Sequence, residues 1–275
     1  MSCIKFSALA ALVALSASAL SGCGGQNEGP ANPRTIKAVA PMIAPPRMPV
    51  DAPASAPVAA SIPDANPAHP KKPIDIDIYG DDSMMGLTGM GFGIPTLTQN
   101  TEPNNSQAIL HATFPEVTIT NHASGGTASS LVNMMAGMDG GGLPFAQRIA
   151  GSKAEIVVDN HAINDDLMQS LGPYTDALIQ WIQDVRNAGK VPVIEEPNPV
   201  CDGNHPHLDG YVMTMQNVAA AYNVPIVHQY YEILSMPDWQ SHMWNCFLPD
   251  EYLLNIKAQR QAAVLALLVK AALGE

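Results

Sequence analysis

The stretch Ile74-Asp75-Ile76-Asp77-Ile78-Tyr79-Gly80-Asp81-Asp82-Ser83-Met84-Met85-Gly86 decides the fold of this chain. Its first six residues alternate apolar and acidic side chains, the two-residue period of a strand, and Gly80 ends the run. A polar turn follows, holding two carboxylates and a hydroxyl. The same plan recurs downstream. β-rich runs lie at 117–120, 154–158, 191–194 and 224–227. Helical periodicity separates the later ones: Leu178, Ile179, Ile182 and Val185 within 174–187, then Tyr211, Val212, Met215, Val218 and Ala219 within 208–222. A last helical run over 251–273 carries Leu254, Ala258, Ala262, Leu265, Leu268 and Val269. Strands alternating with helices predict a three-layer α/β/α fold, a flavodoxin-like doubly wound parallel sheet. Ligands of such folds sit at the carboxyl ends of the strands. The loops beginning at Gly80, Asn121, Asn160 and Glu195 are therefore expected to converge on one site.

Residues 1–23 read as a signal peptide. Lys5 precedes an apolar run from Ala8 to Leu20, too short to span a bilayer, and Leu20-Ser21-Gly22-Cys23 resembles the bacterial lipobox. Cys23 is then the lipidated residue. Residues 24–73 hold half of the 24 prolines and read as a Pro/Ala-rich disordered tether. The globular domain is expected over 74–275. Together these place the protein in the bacterial cell envelope, extracytoplasmic, at the outer membrane or in the periplasm, and held to the membrane by lipid alone. The net charge of -12 argues against nucleic acid as a partner. Of four cysteines, Cys201 and Cys246 remain once Cys3 and Cys23 are set aside, and a disulfide between them is the economical reading in an oxidising compartment. No cofactor motif is present. The segment Cys201-Asp202-Gly203-Asn204-His205-Pro206-His207 is broken by Pro and Gly and matches no metal-ligand spacing, so no metal is expected.

Three polar loops follow the strands: 80–86, Asn121-His122-Ala123-Ser124-Gly125-Gly126-Thr127, and Asn160-His161-Ala162-Ile163-Asn164-Asp165. In order, they resemble the Gly-Asp-Ser turn, glycine loop and Gly-x-Asn-Asp loop of SGNH/GDSL ester hydrolases. Glu196-Pro197-Asn198-Pro199-Val200 and Pro249-Asp250-Glu251-Tyr252 are similar to this family too. The resemblance implies an ancestral carboxylic-ester hydrolase, in which a serine attacks once a base takes its proton and donors hold the oxyanion. It assigns Gly126 and Asn164 as oxyanion donors. Ala123 and Ala162 replace two glycines of the pattern.

The reacting positions are altered. A gapless match puts Asp82 where the serine belongs, with Ser83 one residue later. Matching 245–249 to the family's Asp-x-x-His-Pro puts Asn245 at the acid and Leu248 at the base. Two readings follow. In one, Ser83 is the nucleophile and His242 its base, oriented by Asp238 or Asp250, giving an active esterase of an envelope acyl or acetyl ester. In the other, Asp82 takes the oxyanion donors itself, and a weak or inactive domain keeps its cleft for an envelope ester or glycan. Asp82 and Ser83 are also ordinary helix-capping residues. His161 is read as a structural residue orienting its loop, and His122 and His228 as surface or partly buried polar residues.

Overall fold

The computed structural model describes residues 72–89 and 94–275. The signal segment, Cys23 and nearly all of the tether lie outside the described residues.

Five parallel strands form the central sheet: β1 (Ile74–Tyr79), β2 (Val117–Asn121), β3 (Ile156–Asp159), β4 (Val191–Glu195) and β5 (Ile226–Val227). Their order is β2-β1-β3-β4-β5, so the chain starts in the sheet, steps to one edge, then crosses back past its starting strand. Ile76 lies between Ile119 and Ile156, and Ile78 between Asn121 and Val158. The switch point falls at the carboxyl end of β1, where the sequence places its polar turn.

The helices are α1 (Asp82–Met85), α2 (Glu102–His111), α3 (Leu131–Ala136), α4 (Phe145–Gly151), α5 (Ile163–Met168), α6 (Leu171–Asn187), α7 (Leu208–Tyr222), α8 (Tyr230–Leu234) and α9 (Glu251–Leu273). Alternation along the strands divides the core into two layers. Tyr79, Val157 and Ile194 pack with Phe145, Tyr174, Trp181 and Met215 from α4, α6 and α7. Ile74, Ile76, Ile78, Ile156 and Val158 face the other way, onto Leu110 of α2 and Ala262, Leu265 and Val269 of α9. Both faces are covered, which is why β3 reads as an unbroken apolar run up to Asp159. Burying each large side chain of this set contributes about 1.5–3 kcal/mol.

Two short antiparallel pairs, Leu87–Gly89 with Pro95–Leu97 and Met243–Trp244 with Leu248–Pro249, extend from the carboxyl edge of the sheet. Neither was expected from the sequence; each strand is too short to show a period. Among the described residues no helix is long and apolar enough to cross a membrane.

One charged cluster is sealed in the core. Lys257 and Glu102 pair at 2.8 Å with both side chains fully buried. The Gln229 amide donates to Glu102, Glu195 and the Lys257 carbonyl, and Gln261 donates to Glu195 at 2.6 Å. Burial, reinforced by the Glu102 charge, pushes the Glu195 carboxyl well above the usual carboxylate range. Burial alone would lower the Lys257 ammonium, but Glu102 and Glu195 outweigh it and raise it.

Candidate active-site cleft

The polar turn after β1 is fixed by its own carboxylates. Asp81 is the N-cap of α1, and its Oδ1 accepts the Ser83 backbone N–H and the Ser83 hydroxyl, each at 3.1 Å. Burial pushes the Asp81 carboxyl up, and the neighbouring Asp82 charge adds to the shift. Asp82 points elsewhere. Its Oδ1 accepts the Gly126 N–H at 2.8 Å. Gly126 has φ +89, a left-handed conformation that presents its N–H to the carboxylate. A Cβ on Gly125 would stand 2.7 Å from Asp82 Oδ1, so the glycine pair permits the approach of the two loops.

Asp82, Gly126 and Asn164 line one cleft of about 340 Å³, and so do Asp202, Asn204 and His205 from the loop after β4. Leu87, Pro95, Leu167, Trp244, Phe247 and Leu248 form its apolar walls. Loops from the ends of β1, β2, β3 and β4 thus meet in one place. Asn164 lines the cleft but its Nδ2 donates to the Ser129 carbonyl at 3.0 Å, so Asp82 receives its bond from Gly126 and not from Asn164.

The serine and histidine proposed as a compensating pair are not brought together in this cleft, and neither lines it. Ser83 is buried with its hydroxyl committed to Asp81, because an N-capping carboxylate draws the hydroxyl two residues on. His242 Nδ1 lies 2.8 Å from Asp250 Oδ2, which accepts from it, and the ring packs tilted against Tyr252. Asp250 in turn caps α9 through Leu253 N. Asp238 is the weaker partner, exposed, with its Oδ2 3.8 Å from His242 Nε2. Of the two degenerate positions, Leu248 is buried in the cleft wall, whereas Asn245 sits on an exposed turn at φ +48.

Cys201 and Cys246 form a disulfide. It joins the loop carrying Asp202 and His205 to the turn carrying Phe247, and the Cys201 N–H donates to the Cys246 carbonyl at 2.8 Å. His205 stacks on Phe247 with ring centroids 5.4 Å apart. Its Nδ1 lies 2.9 Å from Asp202 Oδ1. Sequence reasoning set His205 aside as a poor metal ligand; the signal that would have found it is Asp202-Gly203-Asn204-His205-Pro206, an Asp-x-x-His-Pro in an unexpected loop.

A buried Ser–His–Asp chain links the loops after β2 and β3. Ser129 Oγ is 3.5 Å from His161 Nε2, and His161 Nδ1 is 2.7 Å from Asp159 Oδ1. All three are buried. Burial alone would depress His161, but the Asp159, Asp165 and Asp81 carboxylates raise it to about 9. The surrounding carboxylates favour the charged imidazole, and the chain ties the loops after β2 and β3 together. Asp165, raised by burial to about 6, accepts the first backbone N–H groups of α3. His122 and His228, both more than a third exposed, pair with Asp77 at 3.0 Å and Glu196 at 2.8 Å.

No family model matches this sequence, and neither does any curated protein. Solved structures do. A lipase/acylhydrolase from Enterococcus faecalis superposes with a TM-score of 0.55 at 14% identity, over 72% of this chain and 96% of that one. An acetylxylan esterase from Geobacillus stearothermophilus gives 0.55 at 16% identity, over 70% and 94%. An α/β hydrolase from the Lake Arreo metagenome gives 0.52 at 18%, over 73% and 95%. The domain has the SGNH/GDSL hydrolase fold. At these identities the likeness fixes the architecture of the SGNH domain; the chemistry must come from its own cleft.

Proposed function

We propose that this is an extracytoplasmic lipoprotein, anchored through Cys23, whose SGNH domain has left serine-esterase chemistry and retains its cleft for a small uncharged ligand. The observation that carries this reading is the Asp82 carboxylate seated on the Gly126 N–H. That donor is the one an ester oxyanion would need, and a fixed negative charge beside it opposes a second one. Leu248 at the position matched to the base supports the same reading, since it cannot take a proton. The volume and apolar walls suit a short acyl or alkyl compound of the envelope better than an extended glycan. The active-esterase reading through Ser83 and His242 is not favoured, because both groups are committed to other partners.

The test is hydrolysis of 4-nitrophenyl acetate by wild type, Ser83→Ala and His242→Ala. Equal rates at buffer background are expected. A rate above background in wild type that vanishes in Ser83→Ala and His242→Ala refutes the reading. Mass measurement of the mature protein tests the anchor: a diacylglycerol-modified N-terminus at Cys23 is expected, and an unmodified one refutes it.

A further inference from the structure

We propose that Asp202 and His205 form a base dyad that serves Asp82 as nucleophile, and that the cleft hydrolyses primary alkyl compounds bearing a leaving group that departs as a stable anion, such as a halide or sulfonate. This rests on the reading of Asp82 given above and supplies the chemistry of the same cleft.

The dyad is built for proton transfer. Asp202 Oδ1 takes His205 Nδ1 at 2.9 Å and the Asn204 N–H at 3.0 Å, and Oδ2 takes the Asn204 amide at 3.1 Å. Burial raises the Asp202 carboxyl, but these bonds outweigh it and hold it below the usual carboxylate range. An ionised Asp202 keeps the imidazole proton on Nδ1, which leaves the Nε2 lone pair free to accept. The His205 side chain is only 2% exposed, yet its Nε2 has no hydrogen-bond partner among the described residues. His205 is also one of the residues lining the cleft, so this unpaired nitrogen belongs to a side chain of the same site as Asp82. The Phe247 stack and the disulfide beside Asp202 hold the ring in place.

The carboxylate selects the substrate. Attack on an acyl carbon would exchange an ester for an anhydride, which is uphill. Attack on a saturated carbon makes an ester, which is downhill and hydrolysable. In the first step Asp82 Oδ2 donates a lone pair to the alkyl carbon, the carbon–halogen bond breaks, and halide leaves with the bonding pair. In the second step His205 Nε2 removes one proton from water as its oxygen bonds to Asp82 Cγ. The displaced electron pair rests on Oδ1, where the Gly126 N–H already points. Collapse restores the carbonyl, breaks the bond from Cγ to the alkyl oxygen, and the alkoxide takes the proton back from His205. The second water proton passes to solvent. The sum is alkyl halide plus water giving alcohol, halide and a proton. The bond that blocks the oxyanion site for an ester thus stabilises the intermediate of this path.

The test uses the intact mature protein with 1-bromohexane as probe. Wild type should release bromide over many turnovers, and Asp82→Asn should cut the rate at least about 100-fold. His205→Asn should slow turnover about 100-fold or more while still releasing one equivalent, leaving a hexyl group on the peptide that contains Asp82. In a single turnover in heavy-oxygen water, the label should enter Asp82 and the first hexanol should carry none. Melting temperatures check that each variant is folded, and Asp202→Asn serves as a second dyad variant. No bromide release and no adduct overturn the proposal, as does heavy oxygen in the first hexanol or unchanged release in Asp82→Asn. Hydrolysis of 4-nitrophenyl acetate that depends on Ser83 would instead overturn the underlying reading of the cleft.

Discussion

Replacing both Cys201 and Cys246 by serine should destabilise the domain by about 4 kcal/mol. The bridge closes a loop with a sequence separation of 45 residues. In the chain-entropy treatment, such a link removes 2.1 plus 1.5R ln n cal/mol/K from the unfolded chain, about 4 kcal/mol at 25 °C for a loop of this size. For a domain of this length that corresponds to a fall of about 8–16 °C in melting temperature. Differential scanning calorimetry of the double variant and of the oxidised wild type measures it. Reducing the wild type should reproduce the shift, and reductant should leave the double variant unchanged. The bridge also restrains Cys246, whose φ of +59 is unfavourable for a non-glycine residue. Removing it should therefore loosen the Phe247 turn and the His205 loop together. A double variant melting within about 2 °C of wild type would refute the reasoning, because the loop entropy would then not limit stability.

Three further perturbations test other parts of the fold. Lys257→Met removes the cation paired with buried Glu102 and should cost about 3–5 kcal/mol, while pairing it with Glu102→Gln should recover part of the loss; urea unfolding of both variants decides this. Gly125→Ala puts a methyl 2.7 Å from Asp82 Oδ1 and 2.5 Å from Met85 Cε, and should lower the melting temperature while displacing Asp82 from the Gly126 N–H, visible in a crystal structure of the variant. His161 has a folded value of about 9 against 6.5 when free, so the folded state holds the proton more tightly. The stability this contributes is complete below pH 6.5 and lost as pH rises through 9, about 3 kcal/mol in all. Urea midpoints should fall across that window in wild type and stay flat in His161→Gln; a flat wild-type profile would rule out the charged, buried His161.

The layer architecture was legible because its long elements carry strong periods. Ile74, Ile76 and Ile78 all face α2 and α9, as their spacing requires, and the helix expected over 208–222 occupies those residues. The helix expected from 174 begins three residues earlier, because Leu171-Gly172-Pro173 lacks an apolar face but tolerates a first turn with proline. The short α4 and α5 went unread; six or seven residues give less than two turns of pattern. The buried charge network left a signal that the periodicity did contain. Lys257 and Gln261 fall three and seven residues after Leu254, on the stripe that also holds Ala258, Ala262 and Leu265, so a lysine there had to meet a buried carboxylate.

The cleft was legible in its loops and illegible in its base. Chain order ties Asp-x-x-His to the segment before the last helix, and that segment holds Asn245 and Leu248. Chain order does not say which other loop the fold turns toward the same cleft. The disulfide and the Phe247 stack bring the 201–207 loop there. A serine nucleophile needs a base within reach of its own hydroxyl, because it must lose a proton before it attacks. An ionised aspartate has no proton to lose. Once Asp82 stands at the turn, a base is needed only where water enters, so it need not contact the nucleophile from the position of Leu248. That position is then free to become apolar, and a leucine there adds wall for an alkyl chain. Substitution of the nucleophile and movement of the base are in this view one change in chemistry, and an Asp82→Ser variant should not become an esterase unless a histidine also replaces Leu248. Hydrolysis of 4-nitrophenyl acetate by Asp82→Ser alone, above the wild-type rate and lost on adding His205→Asn, would show instead that His205 can serve a serine, and that the two changes are separable.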